Sequence, residues 1–253
     1  MKISVITVVF NGASTIVDTL SSVMMQTYPN IEHLIIDGAS KDETLAIVRR
    51  IASPQIQLIS EPDMGIYDAM NKGIAAATGE IVGFINSDDF YSTPDVLKRV
   101  AEIFHDTSIE ACYADLCYVQ SADTSKTVRY WKSSNFFSGL FAKGWCPPHP
   151  TFFARRIVYE RIGGFDLSYK IAADFELMMR FLEVHKIRAK YIPDILVKMR
   201  VGGISNRSIK NIIVQNLEIL RALETHGSPV NLFQFFGRKI ISKGKQFFFR
   251  PKL

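Results

Sequence analysis

The chain has 253 residues, 47% hydrophobic and 22% charged, a balance that builds a sizeable core and excludes a disordered or fibrous protein. No apolar run reaches the ~18 residues a membrane span needs, and three cysteines without a CxxC pair argue against a disulfide framework. The net charge is +5, yet six bases and no acid lie between Asn231 and Leu253; taking these away leaves −1, so the basic character belongs to the tail.

The first half alternates two periods. "ISVITVVF" (3–10) predicts a strand buried on both faces, and its β-branched run into Asn-Gly reads as a first strand rather than a leader. Ala13, Ile16, Val17, Leu20, Val23 and Met24 recur at helical spacing. "IEHLIID" (31–37) is the next strand. "SKDE" (40–43) predicts a capping box, with the Ser40 hydroxyl accepting from the Glu43 amide. A helix with Leu45, Val48 and Ile51 follows, then a strand over 56–60. Ile66, Met70, Ile74 and Ala77 mark another helix, "EIVGFIN" (80–86) a fourth strand, and Pro94 opens a helix through Phe104.

Strand and helix in alternation, joined by short connections, predict right-handed crossovers and an α/β fold with a mostly parallel sheet. Ligands of such sheets bind beyond the carboxyl ends of the strands. Asn11, Asp37, Glu61 to Asp63 and Asn86 to Asp89 all fall there. The second half is less regular. "ACYADLCYVQ" and "TVRYWK" predict antiparallel strands, and "GWCPPHPTFFARR" a loop leading into a strand. Ala173 to His185 predicts a helix, "RAKYIPD" and "ILVKMRVGG" two strands, and Arg207 to His226 an amphipathic helix. We divide the chain into a domain over 1–205 and a C-terminal helical segment over 206–253.

Neither GxGxxG nor GxxxxGK[ST] occurs, so no familiar glycine-rich loop holds phosphate. A bound nucleotide then needs another neutralising group, usually a divalent cation. Asp88 and Asp89, two carboxylates on a turn after a buried strand, suit Mg²⁺ or Mn²⁺; a helix cap or Asx turn is the plainer reading. Asp37 before Gly38 suits a ribose or base, or simply a turn. Asp174 opens a helix, where the dipole favours its ionised form, fit to accept a proton from a hydroxyl or merely to stabilise the first turn. His149, framed by prolines, reads by default as a solvated loop residue. The sequon Asn206 to Ser208 reads as accidental. The tail interleaves its six bases with Phe233, Phe235, Phe236, Phe247, Phe248 and Phe249, which suits an anionic membrane surface or a helix packed on the body. No groove or base-reading module suggests nucleic acid.

In order, the motifs "TVVFNG", "IIDGASKDET", "EPDMGIYDAMNKGIAAATGEIVGFINSDD", "HPTFFARR", "GGFD" and "AADFELMMR" resemble those of the family-2 inverting glycosyltransferases with the GT-A fold, above all bacterial enzymes that build surface polysaccharides. The resemblance covers about residues 2 to 200. It implies that Thr7, Phe10 and Asn11 line the base pocket and that Asp37 contacts the uracil or ribose of a nucleotide-sugar. Asn86, Ser87 and Asp88 would occupy the Asp-x-Asp site. Asp88 would be the principal ligand of Mg²⁺ or Mn²⁺ with Asp89 beside it, Asp174 the general base, and His149 part of a segment near the sugars.

Two departures stand out. Asn86 replaces the first acid of Asp-x-Asp, and Ala173 replaces the acid often found before the base. The Gln-x-x-Arg-Trp element of processive synthases is absent, which points to addition of a single sugar. The resemblance implies a glycan or lipid-linked acceptor. A cytoplasmic protein is expected, with peripheral association at the inner face of the plasma membrane through the tail. The rival readings are a catalytically inactive GT-A scaffold or carbohydrate-binding protein, and a nucleotidyltransferase.

Overall fold

The computed structural model describes residues 1–51, 53–202, 208–228 and 230–248. The boundary at 205/206, Asn206 of the sequon, and Phe249, Arg250 and Lys252 of the tail lie outside the described residues.

The first half is a run of strand–helix units: β1 (Ile3–Val9), α1 (Ile16–Met24), β2 (Ile31–Asp37), α2 (Thr44–Ile51), β3 (Ile56–Ser60), α3 (Ile66–Ala76) and β4 (Ile81–Phe84). The short β5 (Phe90–Tyr91) and α4 (Val96–Phe104) follow. Next come β6 (Ala111–Val119), β7 (Thr127–Trp131), β8 (Phe153–Arg155), α5 (Arg156–Ile162), α6 (Ala173–Met179) and β9 (Ala189–Arg200). Two C-terminal helices, α7 (Ile209–Thr225) and α8 (Leu232–Phe248), close the described chain.

The strands form one sheet in the order β3-β2-β1-β4-β8-β6-β9-β5, with β7 also paired to β6. β1, β2, β3 and β4 are parallel to one another. β8 then runs antiparallel to both β4 and β6. Parallel pairing returns between β6 and β9, while β5 and β7 pair antiparallel. Every residue of β1, β2, β4 and β6 is buried, as strands covered by helices on both faces require. One face packs Ile6, Phe84, Tyr113, Phe152, Phe165 and Met178; the other packs Val5, Leu97, Val100, Leu116 and Phe153. No helix among the described residues is long and apolar enough to cross a membrane.

Several local expectations change. The Ser40 hydroxyl does not cap α2; it accepts from the Asn11 amide at 2.8 Å. Asp42 takes the capping place, its Oδ1 accepting from Thr44 N at 3.0 Å. The two strands expected over 188–203 are one, β9, because a register shift opposite Asp115 absorbs the Pro193–Asp194 break. The helix expected over 173–185 is α-helical only to Met179 and ends in a π turn, with His185 N donating to Arg180 O at 2.9 Å. The tail helix α8 packs on the body: Phe235 is buried, and Lys239 Nζ donates to Asn216 Oδ1 at 2.6 Å.

Candidate functional site

The loops after β1 and β2 are laced together. Asn11 (φ 51°) and Ala39 (φ 61°) sit in the left-handed region, bending both chains over the sheet edge. Asn11 Oδ1 accepts from Lys41 N at 2.9 Å, Gly12 N donates to Thr44 Oγ1 at 2.9 Å, and Gly38 N donates to Val9 O at 2.9 Å. Phe10 stands at this rim with its ring 62% exposed. Asp37 is fully buried at the end of β2. Its Oδ2 accepts from Ser40 N at 3.0 Å and Ser60 Oγ at 2.7 Å, and its Oδ1 has no partner. A buried acceptor left open calls for a donor from a ligand. Asp63 leans over the same spot; a Cβ on Gly38 would fall inside 3 Å of its Oδ2.

Thr7 does not reach this rim. It is fully buried within β1, and its hydroxyl meets His33 Nε2 at 2.9 Å. Burial holds the His33 ring neutral, its pKa lowered to about 3. Thr7 supports the floor and does not line the pocket, since strand alternation turns it inward.

Beyond β4 the chain turns through Asn86 to Asp89, with Asp89 N donating to Asn86 O at 3.0 Å. Asn86 Nδ2 donates to Asp89 Oδ2 at 2.9 Å, and Arg200 N donates to Asp89 Oδ1 at 3.3 Å. Asp89 is therefore an inward, fully buried strut. Burial and the neighbouring Asp88 charge push its carboxyl well above the usual range. Asp88 differs: it is half-buried, and no other described residue donates to its carboxylate. Burial raises its pKa, while the Arg200 guanidinium opposes that rise. Arg200 Nη1 donates to Asp88 O at 2.6 Å, and Nη2 pairs with Asp18, so the turn is braced from β9 and α1. Ser87 borders Gly12, its Oγ 3.4 Å from where a Cβ there would stand.

Among the described residues no group of three His, Cys, Asp or Glu gathers to hold a metal ion. The set fits one lone oxygen ligand, Asp88, of the kind that holds Mg²⁺ or Mn²⁺ together with substrate phosphates and water. It does not fit a protein-only cage, and Asp89 is engaged elsewhere.

Asp174 opens α6 and is half-buried. Its Oδ1 accepts from Phe175 N at 2.8 Å and from the Tyr67 hydroxyl at 3.3 Å. The helix start does not keep its pKa low. Burial dominates and raises it to about 6, against the two hydrogen bonds and with help from the Glu218 charge. Burial pushes the Tyr118 phenol up, and the charges of both Asp89 and Asp174 push it further. The Cys146 thiol is likewise raised by burial and by Asp174.

His149 is not solvated. It is buried, with ring centroids 5.3 Å from Phe84 and 5.5 Å from Phe165, and burial lowers its pKa to about 4. Its Nε2 has no described partner. Four further residues belong to the site: Asp63, Tyr67, Arg200 and Glu218. Tyr67 lies in "GIYDAMNKG" on the buried face of α3 with Met70, so in the sequence it reads as a core residue. Arg200 and Glu218 act through partners distant along the chain and carried no signal in the sequence.

A mixed sheet of this order with flanking helices is the GT-A fold. The solved structure of S. aureus TarS 1–349 in complex with UDP is similar, with TM-score 0.67 and 19% identity over 98% of this chain and 72% of that one. So is the mannosyltransferase PcManGT from Pyrobaculum calidifontis in complex with GDP-Man and Mn2+, with TM-score 0.67 and 21% identity over 97% of this chain and 73% of that one. An uncharacterized glycosyltransferase of Mycobacterium tuberculosis is 35% identical over 181 residues, 70% of this chain and 68% of that protein. A PGL/p-HBAD biosynthesis glycosyltransferase of Mycobacterium bovis is 29% identical over 220 residues, 85% of this chain and 83% of that protein. The model of glycosyl transferase family 2 matches residues 4–164, and the chain belongs to that family.

Proposed function

We propose that this glycosyltransferase moves one sugar from a nucleotide-sugar, of the UDP class, to a hydroxyl of a glycan or lipid-linked acceptor, with inversion at the anomeric carbon. The observation that carries the reading is the pair of differently prepared carboxylates. Asp88 takes no donor from another described residue, in a turn braced by Arg200, and Asp174, accepting from the Phe175 amide and the Tyr67 hydroxyl, has a pKa of about 6. UDP in TarS and Mn2+ with GDP-Man in the mannosyltransferase support the donor class and the cation.

Asp37, with its open Oδ1, receives an N–H or O–H of the base or ribose. Phe10 stacks at the rim, and Asn11 fixes the loop. Asp88 holds Mg²⁺ or Mn²⁺, which when bound offsets the charge growing on the departing diphosphate. Asp174, largely ionised at pH 7, takes the proton of the acceptor hydroxyl as that oxygen attacks from the face opposite the nucleotide. A single displacement inverts the centre. His149, neutral and wedged between Phe84 and Phe165, shapes the wall beside the sugar.

The acceptor is met at a membrane surface. α8 buries Phe235 but turns Leu232, Phe233 and Ile241 outward, and α7 exposes Ile209, Ile213 and Leu217. No acid lies between Asn231 and Leu253, so the exposed apolar residues of α8 lie in a segment whose charges are all positive, as an anionic leaflet favours.

The test is a panel of nucleotide-sugars with Mn²⁺, read by thermal shift and then by product NMR. A stabilising donor whose transferred sugar has the inverted configuration supports the reading. Binding without transfer or hydrolysis leaves a carbohydrate-binding scaffold instead.

A further inference from the structure

Three consecutive amides converge on one carboxylate beside the proposed base. Lys170 N donates to Glu218 Oε1 at 2.8 Å, and Ile171 N and Ala172 N donate to Oε2, each at 2.9 Å. Glu218 comes from α7, far beyond Asp174 in sequence, and is buried. Residues 170–172 lead directly into α6, whose second residue is Asp174. The Ile171 carbonyl accepts the Tyr67 hydroxyl at 2.8 Å, and that hydroxyl also reaches Asp174 Oδ1. One chain of contacts thus runs from Glu218 through the segment and Tyr67 to Asp174.

We propose that Glu218 is the positioning residue of the Asp174 carboxylate, fixing through the 170–172 amides and Tyr67 where that carboxylate points. This rests on Asp174 acting as the base. N–H groups aimed at a buried carboxylate form strong, directional bonds, so the three amides tie the 170–172 segment to Glu218 in one place. The same charge acts on the base directly: Glu218 raises the proton affinity of both Asp174 and Tyr67. The ionisable groups facing Asp174 are Tyr67 from α3, Glu218 from α7, Tyr118 from β6 and Cys146 from the loop before β8.

The test reads Asp174 itself, before any turnover. Carboxyl-¹³C NMR of the full chain labelled at aspartate, with Asp174→Asn identifying the resonance, follows its titration in wild type and Glu218→Gln. The midpoint near pH 6 moves lower in Glu218→Gln, and the Phe175 amide, which donates to Asp174, shifts with it. In UDP release from UDP-GlcNAc, Glu218→Gln lowers kcat about tenfold or more with KM changed less than twofold. A lower Tm with the Asp174 midpoint and kcat unmoved overturns the proposal and leaves Glu218 a structural cap. Should Glu218→Gln not fold, Glu218→Asp decides: it keeps the charge but retracts it, so a normal midpoint with lowered kcat supports positioning, and wild-type kcat overturns it. Full turnover in Asp174→Asn removes the base reading alone, since the titration arm stands without it.

Discussion

The Tyr67 hydroxyl lies 2.8 Å from the Ile171 carbonyl and 3.3 Å from Asp174 Oδ1. Its hydrogen bond favours the ionised carboxylate, which is the form a base must have. Asp174→Asn is expected to cut transfer by ~10²–10⁴-fold, the range of a lost general base, while nucleotide binding persists. In wild type the rate falls as pH drops through about 6, where Asp174 takes up a proton. Tyr67→Phe removes a contact that lowers that pKa, so this limb moves upward. pH–rate profiles of the three proteins decide it; identical limbs would detach Asp174 from catalysis.

The raised pKa carries a stability cost of definite sign. Below the unfolded value of 3.8 both states are protonated and nothing is lost. As pH rises from there through about 6 the folded state is penalised, because it must bury a charge that the unfolded chain exposes to water. Asp174→Asn is therefore expected to raise Tm at pH 8, by a few degrees for on the order of 1 kcal/mol, and to leave it nearly unchanged at pH 3.5. A Tm gain of equal size at both values contradicts the assignment.

Asp88 and Asp89 are adjacent but are expected to respond differently. Asp88→Ala removes the one carboxylate of the turn without a donor, so stabilisation by UDP with Mn²⁺ over UDP alone should vanish. Asp89→Asn keeps the size and shape of an inward, buried strut, so the Mn²⁺ effect should persist within about fivefold. Titration by calorimetry with and without EDTA separates the two. Equal losses would return Asp89 to the cation site.

Gly38→Ala places a methyl against the Asp63 carboxylate, 3.2 Å from its Cγ and closer to its Oδ2. The far end of a short, solvent-side chain swings away cheaply, so stability should change by under ~1 kcal/mol. Asp63 leaves its position beside Gly38, and UDP affinity is expected to fall about tenfold or more. Unaltered affinity would place the base elsewhere.

The outward face of the two C-terminal helices gives a last prediction. Leu232→Ser with Phe233→Ser removes exposed apolar area without touching buried Phe235, so the fold should hold. Co-sedimentation with vesicles containing phosphatidylglycerol should drop several-fold, and high salt should lower it further in wild type. Equal sedimentation of both proteins would give this face to another partner.

The β1–β4 half was legible because its signals are local. Strands buried on both faces read as unbroken apolar runs, and each helix between them carries its own stripe. The turn residues Asn86 to Asp89 were legible for the same reason, since an apolar run that ends in four polar residues marks a strand end, though not that Asp89 would turn inward. Distant pairing hid the rest. Ser40 looked like a cap because the competing Asn11 amide comes from another loop. Thr7 looked like a pocket residue until strand alternation turned it toward His33. His149 looked solvated because nothing nearby in sequence announces Phe84 and Phe165. Pro193 looked like a strand break because only the partner strand shows the bulge that accommodates it.

The reversal of direction between β4 and β8 has a wider consequence. It brings the beginning of one strand and the end of its neighbour to a single rim, so that, on the proposed function, what is given away and what receives it are governed largely by separate stretches of polypeptide. On the proposed function, changes after Trp131 that spare Arg200, the brace of the Asp88 turn, would retune the recipient while the machinery that grips the leaving group stays as it was. A scaffold divided in this manner lends itself to chimeras, in which the later half of one relative is grafted onto the earlier half of another to redirect a common payload.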